Sequence, residues 1–79
     1  MPYQLAIGTN AAIRIFTPSG RLVRNVELGF RDAGFYIGRS RAAYWDGCND
    51  DGERVVSGTY FYRLITPEST ATRKMVILK

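Results

Sequence analysis

The chain has 79 residues, 46% of them hydrophobic, with a formal net charge of +4 at neutral pH. That length excludes more than one domain and sits near the lower limit for a single core, which buries about 60–65% of the unfolded surface. The hydrophobic content excludes a disordered chain, and Cys48, the one cysteine, excludes an intrachain disulfide.

No stretch places apolar residues at helical spacing over three turns, and turn-forming residues recur at short intervals. This pattern predicts an all-β fold. Tyr3 to Ile7 reads as a first strand with Tyr3, Leu5 and Ile7 on one face, ended by Gly8-Thr9-Asn10. Ala11 to Phe16 is the second, with Ala11, Ile13 and Ile15 inward and Arg14 outward. Thr17-Pro18-Ser19-Gly20 puts proline second and glycine fourth, as a type I turn prefers. It reverses the chain into Leu22 to Leu28, where Leu22, Val26 and Leu28 share a parity. Arg24 interrupts that face, so this strand is expected to be short, bulged or at an edge.

Gly29 to Ser40 is less regular, because Gly29, Gly34 and Gly38 break any long strand. A short strand is expected around Phe35-Ile37, and another over Ala42 to Asp46 with Tyr44 and Trp45 on opposite faces. Trp45 is expected to plug one end of the core. Gly47 to Gly52 reads as a turn, followed by a brief strand at Val55-Val56.

The densest β-forming sequence is the terminal hairpin, Gly58 to Leu64 returning through Arg73 to Lys79. With Glu68-Ser69 as the loop, Tyr62 meets Met75 and Tyr60 meets Ile77 on the core face. Phe61 then meets Val76, and Thr59 meets Leu78, on the outer one. A shift of two residues keeps these faces, whereas a shift of one inverts them. Arg63 opposite Lys74 would be a like-charge pair, which argues for a longer loop. The expected core residues are therefore Tyr60, Tyr62, Leu64, Met75 and Ile77.

Catalytic chemistry finds little support. With no histidine, histidine-based triads and zinc-protease motifs are excluded, and no Walker loop is present. The chain is read as non-enzymatic and without a cofactor. Asp46-Gly47-Cys48-Asn49-Asp50-Asp51-Gly52 invites a calcium reading, but an EF-hand needs oxygen ligands at its first, third and fifth positions and glycine at its sixth. Counted from Asp46, the third position is Cys48 and glycine falls at the seventh. A non-EF site of Asp46, Asp50 and Glu53 stays open beside the favoured reading, a plain turn. Cys48 reads as an incidental thiol.

Five arginines lie between Arg21 and Arg41, and four of the seven acids between Asp46 and Glu53. The surface is expected to be polarised, and the arginine-rich part is read as a solvated face rather than an anion site. Nucleic acid is not an expected partner, because two of the three aromatics at Tyr60-Phe61-Tyr62 point into the core. No apolar run is long enough to cross a membrane, and the N-terminus carries no signal peptide. In a larger secreted protein the signal would lie on another part.

Several segments together resemble one family. Ile13-Arg14-Ile15-Phe16 with Gly20-Arg21-Leu22-Val23-Arg24 resembles an I-x-I-Y…G-R-L-V-R element, and Ala33-Gly34-Phe35-Tyr36 an A-G-x-Y element. Tyr44 through Gly52 resembles W-D-G-R-N-D-x-G. Ser57 through Leu64, with Thr72 through Lys79, resembles the closing S-G-x-Y-F-Y-x-L…T-R-K-M-V-L-L-K. The likeness is to the FlgD-like, Ig-like domain of the flagellar hook-capping protein, which overlaps the C-terminal sorting domains of type IX secretion. It implies an Ig-like β-sandwich of about seven short strands in two sheets, forming a single domain over residues 1–79. It also implies a bacterial, secreted or cell-surface location at the C-terminus of a larger exported protein. The implied partners are secretion or surface-attachment machinery or domains of a parent protein, with self-association as a second reading. The candidate partner or sorting residues are Phe61, Arg73, Lys74, Val76, Leu78 and Lys79. Two departures stand out. The family's Asn-Pro-Phe-Asn-Pro-like segment before the first strand is replaced by Met1-Pro2-Tyr3, and Cys48 stands where arginine is usual.

Overall fold

The computed structural model describes residues 1–37, 43 and 45–78. They form six strands: β1 (Tyr3–Leu5), β2 (Thr9–Phe16), β3 (Leu22–Arg31), β4 (Gly34–Tyr36), β5 (Gly58–Ile65) and β6 (Thr70–Ile77). A four-stranded antiparallel sheet runs in the order β3-β2-β5-β6, and β1 pairs with β4 in a second, smaller sheet. The two contribute to one core, so the fold is the small all-β sandwich expected, with six strands rather than about seven. The predicted strand at Ala42–Asp46 falls partly outside the described residues, and Ala43, Trp45 and Asp46 are not in a strand. The brief strand at Val55–Val56 is absent; only an isolated bridge joins Cys48 to Arg54.

Alternation explains which side of each strand is buried. In β2 the odd positions Thr9, Ala11, Ile13 and Ile15 are buried, while Asn10 and Arg14 are exposed. Ile13 and Ile15 are fully enclosed. From β5 come Tyr60, Tyr62 and Leu64, and from the small sheet Tyr3, Leu5 and Tyr36. Each buried tyrosine of this set other than Tyr3 satisfies its hydroxyl on a backbone carbonyl, as burial requires. Tyr36 donates to Asp32 O (2.7 Å), Tyr60 to Val56 O (2.7 Å) and Tyr62 to Pro2 O (2.9 Å). Tyr60 and Tyr36 thus tie each strand to a carbonyl four residues upstream, whereas Tyr62 ties the large sheet to the small one. Trp45 packs edge-on against Tyr60, with ring centroids 6.0 Å apart, and closes that end of the core.

Three sequence expectations need correction. Ile7 is exposed rather than inward, because β1 ends at Leu5 and the chain bends at Ala6-Ile7. Leu22 does not share a face with Val26. A register shift makes Val23 an extra residue, so Leu22 pairs with Phe16 while Val26 pairs with Ile13. The same irregularity and the edge position of β3 accommodate Arg24. In the terminal hairpin the loop is longer than two residues: Thr66–Ser69 connect β5 to β6, with Thr66 N donating to Ser69 O (2.9 Å). Tyr60 therefore pairs with Met75, Phe61 with Lys74, and Tyr62 with Arg73. The shift is by two, so the faces survive and the Arg63–Lys74 pairing disappears; Arg63 meets Thr72 instead. Met75 and Ile77 are half-buried rather than enclosed, because β6 is the sheet edge.

The first turn follows its sequence closely. Gly20 N donates to Thr17 O (2.9 Å), and Gly20 has φ +92°. A type I turn followed by a left-handed residue is a common three-residue hairpin loop, and glycine carries that conformation without strain.

The Met1 ammonium donates to Ala43 O (3.0 Å), and Ala43 N donates back to Met1 O (3.1 Å). Burial pushes this amine below its usual value of 8.0. A lowered cation pKa means the unfolded chain holds the proton more tightly. The contribution is complete above 8.0 and lost as pH falls through the folded value. Melting temperature at constant salt should therefore rise modestly towards pH 8.0. Blocking the amine should remove that part of the rise.

Candidate functional site

The structure places the four candidate residues that lie in strands, Phe61, Arg73, Lys74 and Val76, on two faces. Phe61 and Lys74 face each other on the outer side of the large sheet, with Val76 opposite Thr59 on the same side. Val76 is 59% exposed, and Leu78, just beyond β6, is 87% exposed. Phe61 is half-buried, and Lys74 is open to solvent. Arg73 does not join them. It lies opposite Tyr62, at a core-facing position on the edge strand, and is exposed. There it lines a cleft of about 380 Å³ with Leu5, Tyr62, Leu64, Glu68 and Ala71. Lys79 lies outside the described residues.

The cleft exists because the layers are unequal. Four strands are faced by two, and among the described residues β1 has a strand neighbour only in β4. The open side of β1 and the inner face of β6 form its walls.

The acidic loop is built around an arginine. Arg24 Nη1 donates to Cys48 O (3.2 Å) and Asn49 O (3.1 Å) and lies 3.5 Å from Asp46 Oδ1. Its Nε is 3.6 Å from Asp50 Oδ1. Within the loop, Asp46 Oδ1 accepts from Cys48 N (3.0 Å), while Asn49 Oδ1 accepts from Asp51 N (3.0 Å) and Glu53 N (2.9 Å). Glu53 accepts from the Asn49 amide at 3.1 Å. These are side chains closing a turn, with a guanidinium held between Asp46 and Asp50. Among the described residues, no cluster of three or more ligand-type side chains could hold a metal. Trp45 Nε1 donates to the same Cys48 carbonyl (2.8 Å), so the loop is pinned to both the core and β3.

Arg24→Leu should loosen this loop. Charge-assisted bonds contribute about 1.5–3 kcal/mol each when buried, but Arg24 is 30% and Asp46 47% exposed, so solvent screening reduces the total to about 1 kcal/mol. Faster hydrogen exchange at Asn49 and Asp50, with a small fall in melting temperature, is the expected result.

Two further residues stand out that sequence inspection did not single out. Phe16 pairs with Phe61, and Arg14 with Arg63, across the central strands β2 and β5. The alternation in β2 marks Phe16 as outward, but only the strand order places it beside Phe61.

No family model, curated protein or solved structure matches the chain. Among the described residues, no helix is long and apolar enough to cross a membrane.

Proposed function

We propose that this domain is a non-enzymatic Ig-like module, a C-terminal sorting or anchoring unit of a secreted or cell-surface bacterial protein, read through its terminal hairpin. The observation that carries the reading is the state of β6. Among the described residues it is an edge strand with one strand neighbour, and Val76 near its end and Leu78 just beyond it are both well exposed. Edge strands are normally kept short or shielded because they invite pairing. Here the edge is eight residues long, and an apolar end beside Lys74 offers a partner both backbone groups and side chains. The motif resemblance ends on the same residues.

The test uses substitutions that leave the core in place. Val76→Asp combined with Leu78→Asp, placed in an exported parent protein, should abolish surface attachment while circular dichroism stays native. Unchanged localisation of the folded double variant would sink the reading. Truncating Met75 to Lys79 is less informative, because Met75 and Ile77 pack against the core.

The same open edge supports a second reading, a spacer or assembly unit that self-associates. Lys74 and Arg73 count against simple β6-to-β6 pairing, since many registers bring like charges together. Light scattering at high concentration separates the two: a persistent monomer leaves the sorting reading standing alone.

A further inference from the structure

Although the inward-facing Tyr60 and Tyr62 argue against nucleic acid at the sequence level, we propose that the outer face of the four-stranded sheet binds single-stranded nucleic acid, with bases stacked over Phe61 and over the Arg63 guanidinium that caps Phe16. The rows of the sheet place the residues. Phe16, Phe61 and Lys74 lie side by side on β2, β5 and β6, and Arg14 pairs with Arg63 in the adjoining row. Both rings are half-buried, and all three cations are exposed. The Arg63 guanidinium carbon lies 5.2 Å from the Phe16 ring centroid, and its Nε donates to Thr72 Oγ1 at 3.2 Å.

Charge indicates the occupant. Cross-strand like charges destabilise a sheet, yet Arg14 and Arg63 sit directly opposite each other. The ion pairs among the described residues are both made by Arg24, so none of these three cations has a carboxylate partner there. The acidic side chain on the adjoining stretch of β3, Glu27, is engaged with the Asn25 amide at 2.9 Å. That hydrogen bond leaves Glu27 charged, so the face carries three cations against one carboxylate. This net positive charge beside flat apolar rings is complementary to a chain of phosphates bearing flat bases. Aromatic rings and guanidinium planes stack on any base, and phosphates supply the anion. A duplex keeps its bases stacked and presents grooves that this flat face cannot enter. The inference goes beyond the sorting role: it shares Phe61 and Lys74 with that reading, whereas Arg14, Phe16 and Arg63 have no part in it.

Fluorescence anisotropy with a short labelled oligothymidylate tests the proposal. Three phosphate contacts give a log–log salt slope of about −2, or about a 20-fold loss of affinity between 50 and 200 mM salt. Phe61→Leu keeps every charge and an apolar side chain, so it should weaken binding about 10-fold with the slope unchanged. Arg14→Thr should make the slope shallower by about 0.7 without lowering the melting temperature, because it also removes the repulsion. Val76→Asp with Leu78→Asp lies outside the rows and should retain the stacking dependence on Phe61, so this proposal and the sorting role fail separately. No binding, or wild-type affinity in folded Phe61→Leu, would overturn the proposal. So would duplex DNA, heparin or polyglutamate binding as tightly at equal charge, which would mark a general polyanion surface.

Discussion

Ile15→Ala is expected to remove a large share of the domain's stability and to lower its urea midpoint sharply. Ile15 has no solvent exposure, and it lies on β2 between Arg24 of β3 and Tyr62 of β5. Removing its three outer carbons loses their transfer energy and leaves a cavity that neighbours on both sides prevent from collapsing, at about 2–5 kcal/mol. A domain of this size has a total stability of about 4–12 kcal/mol, so one such cavity consumes a large share of it. A Leu→Ala change at an exposed position such as Leu78 should be nearly silent by comparison. Urea denaturation measures both. Ile15→Val is the graded control, at about 0.5–1.5 kcal/mol. Equal midpoints for Ile15→Ala and the wild type would mean that β2 is not the centre of the core.

The alternation that made Ile15 legible in the sequence also sets the limit of what sequence could give. A two-residue period assigns a face, and for Ile13, Ile15, Tyr60, Tyr62 and Leu64 that assignment coincides with burial. It does not assign a partner. The terminal hairpin kept its faces but moved by two residues, because the hydrogen bonds of Thr66 with Ser69 hold a longer loop. Leu22 was misplaced because a single bulged residue, Val23, reverses parity, and nothing in the local pattern marks a bulge. Arg24 was legible as an anomaly on its strand, while its purpose was not. Its partners lie more than twenty residues away, in the acidic loop. Resemblance and outward parity single out the candidate hairpin residues, but Arg73, opposite Tyr62, faces away from Lys74 and Val76. The Phe16–Phe61 and Arg14–Arg63 rows depend on β2 lying next to β5, a long-range pairing that no local signal encodes.

The small sheet gives the second large effect. Each of its strands is only three residues long, too short for a two-stranded ladder to be stable by itself. It is held by what it buries. The Tyr3 ring is stacked on Tyr36 with centroids 4.7 Å apart and planes within 4°, and Tyr3 is 4% exposed. An aromatic of this size buries about 150–250 Å². Tyr3→Ala should therefore cost about 3–5 kcal/mol, and the cost should not be spread evenly. Without Tyr3 the stack is gone, and Pro2 is no longer held where Tyr62 reaches its carbonyl. The β1-β4 layer should detach first, uncovering Ile13, Ile15 and Tyr62. Hydrogen exchange resolves this: amides of Gly34–Tyr36 should lose protection before those of Ile13–Ile15, alongside a lower denaturation midpoint. Tyr62→Phe, which removes only the hydroxyl bond to Pro2, should produce the same order of loss at about 1 kcal/mol. Uniform loss of protection across both sheets in Tyr3→Ala would instead show that the two layers fold as one inseparable unit.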